Sequence, residues 1–249
     1  MDFVNTWGGE EYINLVRQVV NDDDLSYFKS NRDYKGILEH CGYNEALYYY
    51  DLLMQRIKNG EIIDNKLIDK FKENDKLGAG DTIECEYFGK IGRSTLKYAV
   101  IAYQLKDLVN HTKDLKVLEI GGGYGGQMKL MCDILDISEI FMIDIPVVLE
   151  LQKKYLNYHK IKANTVHPYK VESLYNTEFD LVVSNHAVCE LEKTIQDSYI
   201  PLINSSQHGY ILYHNEESWN GSYSIQEFCS NINQTPTGDY FCESPIISW

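Results

Sequence analysis

The run Val117-Leu118-Glu119-Ile120-Gly121-Gly122-Gly123-Tyr124-Gly125-Gly126 decides the fold of this chain. It begins with apolar residues typical of a buried strand, and it ends with five glycines among six residues. The residues that follow, 127–131, read as the start of a helix. A strand, a glycine turn and a helix in this order bring backbone N–H groups up to a nucleotide-like ligand, because glycine permits that close approach.

Two classes of ligand fit the glycines. Gly121, Gly123 and Gly126 satisfy the G-x-G-x-x-G pattern, which is found in proteins that bind a nicotinamide or flavin dinucleotide. Glu119 favours another ligand, because a carboxylate at the tip of the strand attracts a cationic amino group and repels a pyrophosphate. The pattern E-x-G-x-G resembles the first motif of class I S-adenosylmethionine-dependent methyltransferases. Their cofactor, S-adenosyl-L-methionine, carries an ammonium and a sulfonium and no phosphate.

The composition is that of a globular protein without a membrane span. The chain has 249 residues, of which 44% are hydrophobic, and no run approaches the roughly 18 apolar residues that cross a bilayer. The first residues show neither a basic nor an apolar segment of the secretory type. The six cysteines are scattered without a C-x-x-C pair, which argues against a zinc knuckle or a disulfide framework. We therefore expect a cytoplasmic protein with reduced thiols.

The charge excludes one large class of substrates. Acidic residues number 37 and basic residues 23, which gives a formal net charge of −14. A protein that binds DNA or RNA needs lysine and arginine to displace counterions from phosphates. We therefore expect no nucleic-acid partner.

The pattern along the chain predicts two regions. Residues 1–80 are predicted to form a helical cap that shapes the acceptor site, and residues 81–249 a catalytic domain. Alternating strands and helices in the second region predict an α/β, Rossmann-like fold with a doubly wound, mostly parallel sheet. The predicted helices are 11–20, 34–40, 45–53, 95–109, 127–131, 147–158, 190–203 and 223–232. The predicted strands are 115–120, 139–144, 165–168, 179–185, 209–214 and 245–249.

Two further positions are candidates for cofactor binding. Asp144 ends the second of these strands, where a carboxylate accepts hydrogen bonds from ribose hydroxyls in such folds. Its alternative role is to cap the helix that begins near Pro146, and both roles can coexist. After the third strand, Glu172 and Ser173 lie where a polar contact to adenine is expected, and Ser173 is our candidate.

A closer resemblance emerges when several segments are taken together. They occur in one order along the chain, namely 34–40, 95–98, 119–126, 143–146 and 183–191. As a set they are similar to the sugar O-methyltransferases associated with surface-polysaccharide biosynthesis. This resemblance implies a sugar acceptor, such as a deoxyhexose of the rhamnose type, that is free, nucleotide-linked or at a glycan end. It also implies cofactor contacts from Tyr124, Ser184 and Asn185, and partners that are either a second copy or other glycan-assembly enzymes.

Transfer of a methyl group to a hydroxyl requires alignment and a base for a weakly acidic proton. His186 follows the fourth strand of the region, and Glu190 lies four residues later. If this segment is helical, both side chains share one face, and the carboxylate orients the imidazole. His214, after the fifth strand, is the competing base. The structural alternative is that Glu190 caps a helix and His186 only packs at its start.

We expect no metal at this site, because the transfer of an already activated methyl group does not require one. The triplet Asp22-Asp23-Asp24 is better explained as a solvated helix-capping loop. Two rival functions remain beside sugar O-methylation. One is N- or O-methylation of a small molecule other than a sugar, and the other is a module that binds S-adenosylmethionine without turnover.

Overall fold

The first third of the chain is helical. The computed structural model describes residues 9–39, 41–110, 112–214, 221–235, 237–241 and 244–249. The elements before the central sheet are α1 (Gly9–Asp22), α2 (Arg32–Ile37), α3 (Tyr43–Lys58), α4 (Asn65–Glu73), the antiparallel hairpin β1 (Thr82–Cys85) and β2 (Gly89–Gly92), and α5 (Arg93–Leu108). Asp64 begins α4 by accepting a hydrogen bond from the N–H of Leu67 at 2.8 Å, which is an ordinary N-cap.

Strands and helices then alternate as expected. The strands are β3 (Leu115–Ile120), β4 (Ile137–Ile143), β5 (Asn164–Val166), β6 (Leu181–Asn185), β7 (His208–Leu212), β8 (Tyr240–Phe241) and β9 (Ser244–Ser248). The helices are α6 (Gly126–Ile134), α7 (Pro146–Tyr158), α8 (Lys193–Ser205) and α9 (Ile225–Asn231).

In the described residues these seven strands form one sheet, in the order β5-β4-β3-β6-β7-β9-β8. Neighbours are parallel from β5 to β7, whereas β9 runs antiparallel to β7 and to β8. The doubly wound, mostly parallel sheet is therefore confirmed. The chain starts at β3, winds outward to β5 and returns to β6, so the carboxyl ends of β3 and β6 meet where the winding reverses. Ligands of open α/β sheets bind at this point.

The sheet separates two hydrophobic clusters. Leu115 and Val117 of β3 pack into the cluster that also contains α1 to α7, and Leu118 and Ile120 pack into the cluster on the side of α8 and α9. Side chains alternate along a strand, so Glu119 faces the same side as Val117. The division into 1–80 and 81–249 stays a prediction. No helix among the described residues is long and apolar enough to cross a membrane.

Several element bounds differ from the sequence prediction. The helix predicted for 34–40 is α2, which begins at Arg32 and ends at Ile37, and His40 lies outside the described residues. The helix predicted to begin at Glu190 begins at Lys193 instead, because 188–190 form a separate 3₁₀ turn. Helix α4 and the β1–β2 hairpin were not predicted. Both are short, and a strand of four residues shows too few alternations to be recognised.

Candidate active site

A cavity of about 670 Å³ opens at the carboxyl ends of the parallel strands. One part of its wall consists of residues that follow β3, β4, β6 and β7, and the other part comes from the N-terminal helices, α5 and the last strands. This volume lies in the range of sites for small organic ligands. Most of the residues predicted to carry chemistry meet here.

The glycine turn forms the floor of the cavity. Gly121 has a φ of 73° and Gly123 a φ of 56°, in the left-handed region that favours glycine. The N–H of Gly121 donates to the carbonyl oxygen of Ile143 at 2.8 Å, which joins the turn to the end of β4. A Cβ at Gly121 would lie 2.0 Å from the Cβ of Ala187, so the turn after β6 packs directly against the glycine turn.

Glu119 lies buried beside this turn. Its side chain is 2% exposed, and its Oε2 atom has no hydrogen-bond partner in the described part of the chain. A Cβ on Gly122 would come within 2.8 Å of that same oxygen. Burial, with a smaller contribution from the charge of Asp144, raises the pKa of Glu119 to about 8. The site therefore holds a carboxyl group that a cation would stabilise in its ionised form.

Asp144 follows β4 and is held by three hydrogen bonds. It accepts from the backbone N–H of Gly123 at 3.1 Å, from that of Ile145 at 2.8 Å and from Nε2 of Gln152 at 2.9 Å. Enclosure in the protein raises its pKa to about 7, although these bonds oppose the shift. The N-cap of α7 is Ile145, so Asp144 does not occupy the capping position. Its fixed carboxyl group borders the cavity beside the glycine turn.

Tyr124 also borders the cavity, but its ring packs into an aromatic cluster under the turn. Phe28 and Tyr155 contact this ring edge to face, with centroids 5.5 and 4.8 Å away. The buried ammonium of Lys29 lies 4.2 Å from the ring centroid and donates to the backbone carbonyl of Asn74 at 2.9 Å. These contacts connect the glycine turn to the helical region. A cofactor contact from Tyr124 stays a prediction.

The remaining cofactor candidates are placed differently. Ser184 is fully buried, where its Oγ donates to the carbonyl of Ile120 and accepts from the N–H of Val188, both at 3.1 Å. It lies outside the cavity lining and holds the turn after β6 against β3. Asn185 does line the cavity, and its Nδ2 donates to Oε1 of Gln127 at 3.4 Å. Ser173 is exposed, donates to the carbonyl of Lys170 at 2.6 Å and is not part of the lining.

The three residues considered as bases meet at one corner of the cavity. The rings of His186 and His214 stack with centroids 4.9 Å apart and an interplanar angle of 28°. Oε1 of Glu190 lies 3.2 Å from Nε2 of His214. The expected helical face shared by His186 and Glu190 is wrong, because His186 has a φ of 68° and leaves the helical conformation. The carboxylate instead meets the imidazole of His214, which follows the neighbouring strand β7.

Sequence reasoning missed the residues that the helical region and the last strands contribute. Tyr12 of α1, Tyr49 of α3, Lys97 of α5 and Phe241 of β8 all line the cavity. The rings of Tyr49 and Phe241 stack at 5.2 Å with an interplanar angle of 10°. Tyrosines at helical spacing have the same pattern as core residues, so the sequence held no signal that separates the two cases.

The contact between the two turns gives a testable expectation. If the cavity holds S-adenosylmethionine, as the sequence predicts, Gly121→Ala should abolish its binding, because the new methyl group displaces Ala187 and with it the chain between His186 and Glu190. The control is Gly60→Ala. Gly60 also has a positive φ, 99°, but a Cβ added there would meet no atom within 4 Å. That variant should lose only about 1–2 kcal/mol of stability from backbone strain. Calorimetry measures the affinity for the cofactor, and thermal melts measure the stability of each variant. An unchanged affinity in Gly121→Ala would contradict the close packing of Gly121 against Ala187.

Comparisons with known proteins agree on the fold. A scan of family models finds no match, and a search of curated proteins finds none. Among solved structures, the PH0226 protein from Pyrococcus horikoshii OT3 is similar with a TM-score of 0.50 and 13% identity, over 63% of this chain and 89% of that one. The CurJ carbon methyltransferase has a TM-score of 0.48 at 11% identity, over 62% and 54% of the two chains. The methyltransferase domain of bacterial CtHen1-CN has a TM-score of 0.44 at 13% identity, over 61% and 95%.

At these identities the likenesses show the fold and not the acceptor, and none of the three names refers to a sugar. The strand order and the likeness to the PH0226 protein agree on a Rossmann-like α/β fold for this chain.

Proposed function

We propose that this protein is an S-adenosylmethionine-dependent O-methyltransferase whose acceptor is a hydroxyl group of a sugar. One observation carries the cofactor assignment. Glu119 places a buried carboxyl oxygen beside the glycine turn, and no described residue satisfies it. A buried carboxyl group without a partner costs free energy unless a ligand supplies one.

The residues present fit this cofactor. Glu119 would accept hydrogen bonds from the amino group of the methionine part, and Asp144 from the hydroxyls of the ribose. The left-handed turn at Gly121 and Gly123 lines the cavity, so its backbone would lie against the ligand. A dinucleotide fits less well, because its pyrophosphate would lie against two carboxyl groups.

S-adenosylmethionine supplies an activated methyl group, so the protein's own task is to align the acceptor and to remove its proton. His214 is placed to accept that proton. A carboxylate can only accept hydrogen bonds, so the contact with Glu190 favours the tautomer of His214 that carries its hydrogen on Nε2, and Nδ1 is the basic nitrogen of that tautomer. Glu190 thereby fixes the tautomer and stabilises the charge that His214 acquires after it takes the proton.

The part of the cavity lined by the helical region supports a sugar acceptor. The stacked and nearly buried rings of Tyr49 and Phe241 form part of an apolar wall there, and Glu45 and Lys97 add hydrogen-bonding groups of both charges. Apolar walls with a few polar groups are typical of sites for small polar ligands. These residues support a sugar acceptor, together with the resemblance of the sequence to sugar O-methyltransferases.

Two measurements test the proposal in sequence. Native mass spectrometry of the purified protein should detect S-adenosylmethionine or its demethylated product, and tight binding of NAD instead would refute the cofactor assignment. A panel of free sugars, nucleotide sugars and glycan ends should then show one acceptor that gains the mass of one methylene. Turnover with only a non-sugar acceptor would favour the small-molecule alternative, and binding without any turnover would favour the non-catalytic one.

A further inference from the structure

One buried residue at the catalytic corner has no part in this mechanism. Cys189 lies in the turn after β6, is 1% exposed and donates its thiol hydrogen to the backbone carbonyl of His186 at 2.7 Å. Its Sγ atom and one ring nitrogen each of His186 and His214 all lie within 4.8 Å of one another. Two elements contribute these three atoms, since His186 and Cys189 follow β6 and His214 follows β7.

Two imidazoles and a thiolate are the donor set that favours Zn²⁺ and related metals over Mg²⁺ or Ca²⁺. Bonds of about 2.0–2.3 Å from zinc to nitrogen and sulfur place tetrahedral ligands roughly 3.3–3.6 Å apart. The longest separation in the cluster, up to 4.8 Å, would therefore have to shorten by about 1.2–1.5 Å. Rotation of the His186 and Cys189 side chains would have to supply most of this movement, so that His214 keeps its contact with Glu190.

A second observation points in the same direction. Histidines that bind a metal commonly donate their other N–H group to a carboxylate, which fixes the ring and raises its basicity. Glu190 stands in this position, because its Oε1 lies 3.2 Å from Nε2 of His214. Both histidines and Glu190 also line the cavity, so a metal held here would keep one coordination position open toward the ligand.

We propose that His186, Cys189 and His214 form a binding site for Zn²⁺, and that an occupied site blocks methyl transfer. Binding releases the thiol proton of Cys189 to the solvent, and the sulfur then donates its electron pair to the metal. The lone pair with which His214 would accept the acceptor's proton is taken up in the same way. The blocking effect rests on the proposed function, whereas the metal site itself does not.

The site is tested first without any turnover. Co²⁺ should bind to the full-length protein with the visible absorption of a tetrahedral site and a thiolate charge-transfer band, and Zn²⁺ should displace it. Cys189→Ala should weaken Co²⁺ binding by at least about 100-fold, which is the upper end of the cost of losing only an outer-shell partner. The matched control is Cys229→Ala, a buried cysteine of α9, which should bind Co²⁺ as the parent does. Equal binding by Cys189→Ala and the parent, or no tetrahedral absorption in the parent, would overturn the site.

Activity then tests the block. Micromolar Zn²⁺ should inhibit methyl transfer by the parent and by Cys229→Ala, and a chelator should restore the rate. Cys189→Ala should resist Zn²⁺, with its rate in the presence of the metal compared with its own metal-free rate. A parent that binds Zn²⁺ and retains or increases its rate would overturn the block. If no acceptor is ever methylated, the proposed function fails, and the cobalt spectra still decide whether the metal site exists.

Discussion

His214→Asn is expected to lower the rate of methyl transfer by about two to four orders of magnitude while the affinity for S-adenosylmethionine stays nearly unchanged. The reason is the position of His214 just after β7, where Oε1 of Glu190 lies 3.2 Å from Nε2 of the imidazole and orients the ring. Asparagine preserves a polar side chain at this position and cannot accept the proton. Single-turnover kinetics with the identified acceptor measure the effect, and calorimetry measures the affinity.

Three companion variants separate the roles at this corner. Glu190→Gln should cost less than His214→Asn, because the amide keeps the shape and loses only the charge that stabilises the protonated imidazole. His186→Ala should remove the stacked ring with a smaller loss than His214→Asn. His208→Asn, at the far end of the same strand, is the control and should retain the parental rate. If His186→Ala proves the most damaging change, the base is His186, and the order of effects expected here is wrong.

Glu119→Gln is expected to weaken binding of S-adenosylmethionine by about 10- to 100-fold, which corresponds to roughly 1.5–3 kcal/mol for a hydrogen bond to a charged group. Glutamine keeps the size of the side chain and removes the charge that would pair with the amino group. The matched control is Glu150→Gln on the exposed face of α7, which changes the net charge equally. Unchanged affinity in Glu119→Gln would refute the assigned role.

The same carboxyl group should make cofactor binding depend on pH. Because burial raises the pKa of Glu119 to about 8, the free protein holds a proton there at neutral pH. Pairing with a cation favours the carboxylate, so binding releases this proton and the affinity rises with pH, by at most about tenfold per unit. Calorimetry in two buffers between about pH 5.5 and about pH 6.7, at least one unit below the pKa of about 7.7–8.0 of an α-amino group, measures the release. Glu119→Gln should release fewer protons on binding than the parent, since Asp144 is then the remaining carboxyl group of the site with a raised pKa.

The stability of the cofactor-free protein should change in the opposite sense. In the unfolded chain Glu119 loses its proton near the ordinary pKa of 4.5, whereas in the fold it keeps the proton up to about pH 8. The folded state binds more protons across this window, so its free energy of unfolding falls as pH rises through it. Thermal melts of Glu119→Gln should show a shallower decline.

Strands β3, β4, β6 and β7 were predictable because buried parallel strands are short apolar runs with glycine, proline or polar residues at their ends. The placement of Glu119 and Asp144 followed from the same logic, since the carboxyl ends of neighbouring parallel strands meet at one edge of the sheet. The positions of Glu119 and Asp144 beside the glycine turn could therefore be predicted from the local sequence alone.

The partner of Glu190 could not be predicted in this way. The bond to His214 spans 24 positions and depends on the parallel pairing of β6 with β7. The left-handed conformation of His186 is equally a consequence of tertiary structure, because the turn it begins packs against Gly121 and is held by Ser184. The helical spacing predicted a local contact between His186 and Glu190, whereas the pairing of β6 with β7 brings Glu190 to His214 instead.

The contact between Lys29 and Tyr124 has a consequence for how ligands affect each other. The helical region touches the glycine turn there and again at Leu38, whose Cδ1 would lie 3.1 Å from a Cβ added to Gly123. Tyr49 of the same region lines the part of the cavity proposed for the acceptor. The helical region would therefore contact both ligands. By thermodynamic linkage, the factor by which the cofactor changes the affinity for the acceptor equals the factor by which the acceptor changes the affinity for the cofactor. We expect the acceptor to bind more tightly to the cofactor-bound protein than to the free protein, and Lys29→Met to reduce this cooperativity.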